Sequence, residues 1–115
     1  YSGRYEDRGV NKDNIKTPVA NHPLIRTHPI TGKKAIYVNR TFTTGIEGMN
    51  KNESSSILEF LFEHCEHVNF QIRYRWNKND MAFWDNRCTM HYPVNDYHGY
   101  RRLMHRITFQ GDKPF

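Results

Sequence analysis

The residues best suited to chemistry lie close together in 84–106, which reads WDNRCTMHYPVNDYHGYRRLMHR. His91 falls in a turn-rich loop, where an imidazole is available as a metal ligand. Beyond it come Arg101, Arg102 and Arg106, and the spacing of Arg102 and Arg106 puts them on one face of an extended strand. A guanidinium holds a carboxylate or sulfonate through two parallel hydrogen bonds, which a lysine cannot do. A metal site beside an anion site is what these residue types allow.

The elements that must carry them are legible as periodicities. Phe70, Ile72, Tyr74 and Trp76 alternate with Gln71, Arg73 and Arg75, which predicts a strand, with a turn over 77–80 and a returning strand over 81–84. Residues 88–99, with Pro93, Asn95, Asp96 and Gly99, read as a long loop, and loops of that length within a domain tend to be functional. A last strand is expected over 101–110. There Arg102 and Arg106 share one face, while Leu103, Ile107 and Phe109 share the other. Alternation alone turns the arginines to solvent. If a helix covers the apolar face instead, the arginines line an interior and need an anionic partner, because an uncompensated buried charge costs several kcal/mol.

A helix suited to that covering role is predicted over 51–67. Asn50 and Glu53 give a capping-box-like start, and Ile57, Leu58, Leu61, Phe62 and Cys65 recur at helical spacing, with Glu59, Glu63 and Glu66 on the opposite side. Upstream, 24–27 and 34–39 read as a hairpin around Pro29 and Gly32. Phe42 stands alone among threonines at a strand end, where it either lines a pocket or plugs the rim of the core. Residues 1–21 have no sustained pattern and read as an irregular arm, leaving 22–115 as part of one domain.

His64 and Glu66, and His64 with His67, imitate metal-ligand spacings on the helix. The first pair points to opposite sides of a helix and cannot close on one ion. The second reads as solvated histidines near a helix C-terminus, where they suit the dipole.

Composition narrows the class. With 115 residues, 37% apolar and 25% charged, the chain suits one globular unit and holds no apolar run long enough to span a bilayer. The net charge of +5 is spread among acidic residues and matches no nucleic-acid-binding motif, so a small anionic ligand is the better use of the arginines. Cys65 and Cys88 form no CxxC, which points to reduced thiols that serve in packing. With no basic start leading into an apolar segment, a cytoplasmic location is the expectation.

Taken together, RTHPITGKKAIYVNRTFTTGI and the 84–106 stretch resemble the C-terminal half of the taurine dioxygenase family of iron(II)- and 2-oxoglutarate-dependent oxygenases. The WDNR, THP, FTT, HY and RR-x-x-HR elements occur in the family's order. The resemblance implies a mainly β fold, a double-stranded β-helix of the jelly-roll or cupin kind with a covering helix. It also implies that His91 is the distal histidine ligand of Fe(II), that Arg102 grips the far carboxylate of 2-oxoglutarate, and that Arg106 receives the substrate sulfonate. Phe42 matches an aromatic of the substrate pocket. The implied reaction hydroxylates the carbon beside sulfur in a small sulfonate such as taurine, with O2 and 2-oxoglutarate consumed and sulfite released. Ascorbate as an accessory reductant and a homo-oligomer are compatible with it.

The family's remaining ligands come from an HxD motif, and this sequence contains none. The expectation is therefore a C-terminal portion of a longer domain, whose N-terminal half supplies the other ligands. Two other readings stay open, an alkylsulfatase-type or other small-acid dioxygenase of the same family, and a non-catalytic β-sandwich binding module.

Overall fold

A computed structural model describes residues 19–115, so most of the arm expected over 1–21 lies outside the described residues. The first element is a hairpin of β1 (Ile25–Thr27) and β2 (Lys34–Ile36), antiparallel, with Ile25 opposite Ile36, Arg26 opposite Ala35 and Thr27 opposite Lys34. Its connection closes through His28 N–H to the Lys33 carbonyl and Gly32 N–H to the His28 carbonyl, both at 2.8 Å. Gly32 sits at φ +69°, a left-handed conformation that a side chain would strain. The pairing stops at Ile36, short of the expected 39, although Tyr37 N–H still donates to the Leu24 carbonyl.

The helix forms where its start signal put it, as α1 (Lys51–Cys65). The Asn50 side chain accepts from the backbone N–H groups of Asn52 and Glu53 at 3.0 Å each, satisfying two donors that a helix start leaves orphaned. Replacing Asn50 by alanine is expected to cost about 1 kcal/mol. The loss should appear as a lower urea midpoint with an unchanged slope. At the other end α1 stops two residues before the expected 67. His67 instead caps a short 3-10 turn, Val68–Phe70, by accepting from Asn69 N–H.

Ser54, Leu58 and Phe62 are the buried residues of α1, one stripe at four-residue spacing. Leu58 and Phe62 pack with Val38 to form the core, flanked by Leu24, Ile36, Ile46 and Leu61. Ser54 turns its hydroxyl to the Ile46 N–H at 2.8 Å, which pins the 39–50 connection onto the helix. Arg40 reaches back to the outer side of α1, bonding Glu59 at 2.8 Å and Glu66 at 3.2 Å, with its guanidinium 4.9 Å from the Phe62 ring centre. The helix thus covers the β1–β2 hairpin and not the apolar side of 101–110.

Arg26 is 3% exposed, its guanidinium 5.0 Å over the Tyr37 ring and its Nε and Nη2 without hydrogen-bond partners among the described residues. The ring face offsets part of the cost of burying this cation.

The strands expected over 70–84 and 101–110 are not formed among the described residues. The turn expected over 77–80 is formed: Asp80 N–H donates to the Asn77 carbonyl, and Asn77 N–H donates to the Asp80 carboxylate at 2.8 Å. Tyr74 and Trp76 meet edge to face at 5.1 Å, as alternate residues of an extended run should. No ladder holds them, because a two-stranded ribbon without a covering layer is marginal in water and the single apolar face of α1 is already spent on the hairpin. Ile72, Ile107 and Phe109 are accordingly exposed.

Candidate functional site

The WDNR element makes a dense polar knot centred on Asp85. Arg87 lays its guanidinium along this carboxylate, Nη2 to Oδ2 at 2.7 Å and Nε to Oδ1 at 2.9 Å, and adds its own backbone N–H to Oδ1 at 2.8 Å. The Asp85 carbonyl accepts from the Thr89 hydroxyl at 2.6 Å and from the Thr89 and Cys88 N–H groups. An aspartate that bonds the backbone two residues on, while its carbonyl closes the next turn, locks the local chain.

The far side of the knot comes from the first hairpin. His28 Nε2 lies 3.1 Å from Asp85 Oδ2. His28 Nδ1 accepts from the backbone N–H groups of Ile30 and Thr31, each at 3.3 Å, so Nε2 carries the proton and donates to Asp85. The carboxyl is held well below its ordinary pKa by the Arg87 side chain first, then by the Arg87 N–H and His28.

Because the folded value is the lower one, the stability that Asp85 contributes is fully present above its unfolded pKa of about 4 and is lost as the pH falls through the folded value. Urea midpoints from neutral to acid pH are expected to fall more steeply for the wild type than for Asp85→Asn. Parallel curves would show that this carboxylate is not linked to folding.

The residues singled out for chemistry, His91, Phe42, Arg102 and Arg106, are all exposed. His91 packs its ring against Trp84, centres 4.9 Å apart and planes at 48°, and no hydrogen bond among the described residues occupies either ring nitrogen. Trp84 is itself oriented, its Nε1 donating to Asn86 Oδ1 at 2.9 Å.

Phe42 rides on a turn built around Asn39, whose side-chain oxygen accepts from Thr41 N–H and whose carbonyl accepts from the N–H groups of Phe42 and Thr43. The Asn39 amide also lies 3.6 Å from the Met90 sulfur, tying that turn to the neighbour of His91. With 76% of its surface exposed, Phe42 is not a plug of the core.

The arginines stand apart from this grouping. Arg102 stacks its guanidinium 5.2 Å over the Tyr97 ring, and Arg106 Nε donates to the Thr108 hydroxyl at 3.3 Å. Neither is bonded to His91 or Phe42 among the described residues. Both are exposed, against the buried-arginine alternative, because among the described residues no neighbouring strand pairs with 101–110 to enclose them.

Several contributors were not singled out by type or spacing. His28 and Asp85 lie 57 positions apart, and only their place in the THP and WDNR elements signalled them. With Cys88 they bring three donor atoms within 4.8 Å of one another. A metal on His28 Nε2 would displace the proton shared with Asp85 and require one on Nδ1, where two backbone N–H groups already point. The arrangement is therefore a hydrogen-bonded clamp. Both thiols are free, and Cys88 is exposed where a packing role was expected, lining with His28, Lys33 and Lys34 a cavity of about 330 Å³. Glu66 and His67, the decoys on the helix, are engaged by Arg40 and by the short 3-10 turn. No helix among the described residues is long and apolar enough to cross a membrane.

Comparison with known proteins finds relatives over most of this chain. A sulfate ester dioxygenase of Pseudomonas putida, alpha-ketoglutarate-dependent, is 37% identical over 93 residues, covering 81% of this chain and 31% of that protein. An alpha-ketoglutarate-dependent sulfonate dioxygenase of Saccharomyces cerevisiae is 38% identical over 102 residues, covering 86% of this chain and 25% of the yeast protein. An alkylsulfatase of Acinetobacter baylyi is 35% identical over 91 residues, covering 79% and 28%. The chain thus spans between a quarter and a third of the length of these relatives. Residues 1–108 match the family described as "Taurine catabolism dioxygenase TauD, TfdA family", and the chain belongs to that family, which implies a cupin-like fold.

Proposed function

We propose that this chain is the C-terminal portion of an iron(II)- and 2-oxoglutarate-dependent dioxygenase whose domain is a double-stranded β-helix and whose substrate is a small sulfonate such as taurine. The observation that carries the reading is the ordered set WDNR, HY and RR-x-x-HR within the 1–108 family match. The donor chemistry fits. His91 offers an exposed imidazole with both ring nitrogens free of hydrogen bonds among the described residues, the form a metal needs. A facial triad takes one further histidine and a carboxylate, which on this reading come from outside these 115 residues.

Iron, when bound, would supply the site at which O2 is consumed, one oxygen atom ending as the hydroxyl on a substrate carbon and the other in the succinate formed as 2-oxoglutarate loses CO2. The rest falls to side chains. Arg102 takes the far carboxylate of 2-oxoglutarate through its two-pronged fork, and Arg106 takes the sulfonate in the same way. With both anions fixed, the C–H bond beside sulfur is presented to the metal side of the pocket, a positioning effect and not a chemical one. Phe42 supplies an apolar wall against the substrate's carbon chain. Once hydroxylated, that carbon expels sulfite and becomes an aldehyde.

The names of the relatives favour a second reading, a sulfate ester as substrate. Either substrate presents a tetrahedral anion to Arg106. Supplied in turn with taurine and with a medium-chain alkyl sulfate, the full-length protein is expected to release sulfite from the first. Release of sulfate from the second alone would replace the sulfonate reading with the ester one.

Arg102→Ala should raise the 2-oxoglutarate requirement by roughly 10- to 100-fold, the scale of a lost charge-assisted pair. An unchanged requirement would remove Arg102 from its role.

A further inference from the structure

The knot around Asp85 and the free ring of His91 are parts of one short stretch, and their contacts interlock. Trp84 is the side chain against which the His91 ring rests, at 4.9 Å. Asn86 fixes the indole by accepting from its Nε1 at 2.9 Å. Between them, Asp85 closes the 85–89 turn through its carbonyl while its carboxylate is held from both sides, by Arg87 from within the turn and by His28 from the first hairpin. The path from Asp85 to His91 therefore has its backbone fixed at the start by this clamp, and its end is held by the ring contact with Trp84. His28 is the part that ties it to the rest of the fold, because β1, β2 and the core lie on its side.

We infer that the WDNR element is a cradle that orients His91, with Trp84 and Asn86 positioning its ring and the His28–Asp85 pair anchoring the turn that leads to it. The inference rests on the reading of His91 as an iron ligand. None of these residues is required to touch substrate or metal. They act through His91, and what they fix is the direction of its ring nitrogens. Partners that orient a metal-binding histidine typically alter metal affinity by 10- to 100-fold when removed, without themselves binding the ion.

The assignment gives His28 a single chemical requirement, a side-chain N–H aimed at Asp85. Phenylalanine at this position keeps an aromatic ring but donates nothing, whereas glutamine keeps an N–H donor. Asn86 is exposed, so its replacement removes the indole's hydrogen bond without opening the core.

The test is iron(II) affinity in the full-length protein, by equilibrium titration under anaerobic conditions, alongside the thermal midpoint and the 2-oxoglutarate KM at saturating iron. Asn86→Ala is expected to weaken iron binding about tenfold, with the thermal midpoint and the 2-oxoglutarate KM unchanged. His28→Phe should weaken it at least as much, and His28→Gln should recover most of the loss. The inference is overturned if Asn86→Ala binds iron as tightly as wild type, or if His28→Phe loses affinity only in proportion to the folded protein it loses. A wild type that binds no iron overturns the dioxygenase reading together with the cradle. A wild type that binds iron beside an unaffected Asn86→Ala overturns the cradle alone.

Discussion

His91→Ala in the full-length protein is expected to lose iron(II) affinity by at least roughly 100-fold, since removing a ligand outright should exceed the loss from removing its outer-shell partner. The coupled consumption of 2-oxoglutarate should disappear with it. The imidazole would supply one of the few protein donors on an ion that must keep positions open for other ligands, so its loss leaves too few to hold the metal. Nearby histidines are poor substitutes. His98 lies near the end of the long loop and His105 further along the chain, and among the described residues neither is backed by an oriented ring as His91 is by Trp84. His98→Ala, an exposed change, is the matched control and should titrate with iron as the wild type does. A His91→Ala protein that still couples iron to 2-oxoglutarate turnover would remove the residue from the site.

That expectation was open to sequence reading only in part, and the division follows the range of the interactions. The Asn50 cap, the α1 stripe of Leu58 and Phe62, and the hairpin turn at Gly32 depend on neighbours within a few positions, and their residue types announce them. Alternation over 70–76 signals a strand, yet Phe70 closes the 3-10 turn instead, and what is observed of the pattern is the contact of Tyr74 with Trp76. It does not say which strand lies alongside, because ladder partners are distant in sequence, and here the ladder does not form.

The same limit applies to the site. Type and spacing raised His91, Arg102 and Arg106 as candidates, but their separate roles came from resemblance to a family. The His28–Asp85 pair could not be found by spacing, since no periodicity connects residues 57 apart. What could have drawn attention was an aspartate and an arginine two positions apart in WDNR, a compact pair able to lock a turn directly before a candidate ligand.

Leu58→Ala is expected to be the most damaging change away from the site, costing about 2–5 kcal/mol, the range for emptying a leucine-sized volume in a packed core. Only Val38, Leu58 and Phe62 are buried apolar residues among those described, so the loss falls on the centre of a very small core. Leu58 is the middle of the α1 stripe and is 5% exposed, whereas Ile57 beside it is 38% exposed. Ile57→Ala removes a side chain of similar size from the same helix and the same propensity context, so it serves as the control. Its cost should be a fraction of the Leu58 value, because much of that surface is already in water. Urea midpoints for the pair measure the difference directly. Equal losses would mean that α1 is held by its cap and its ion pairs and not by the layer it forms with β1 and β2. A large gap would place the anchor of the fold at the Leu58–Val38–Phe62 contact, the same layer from which His28 reaches across to Asp85.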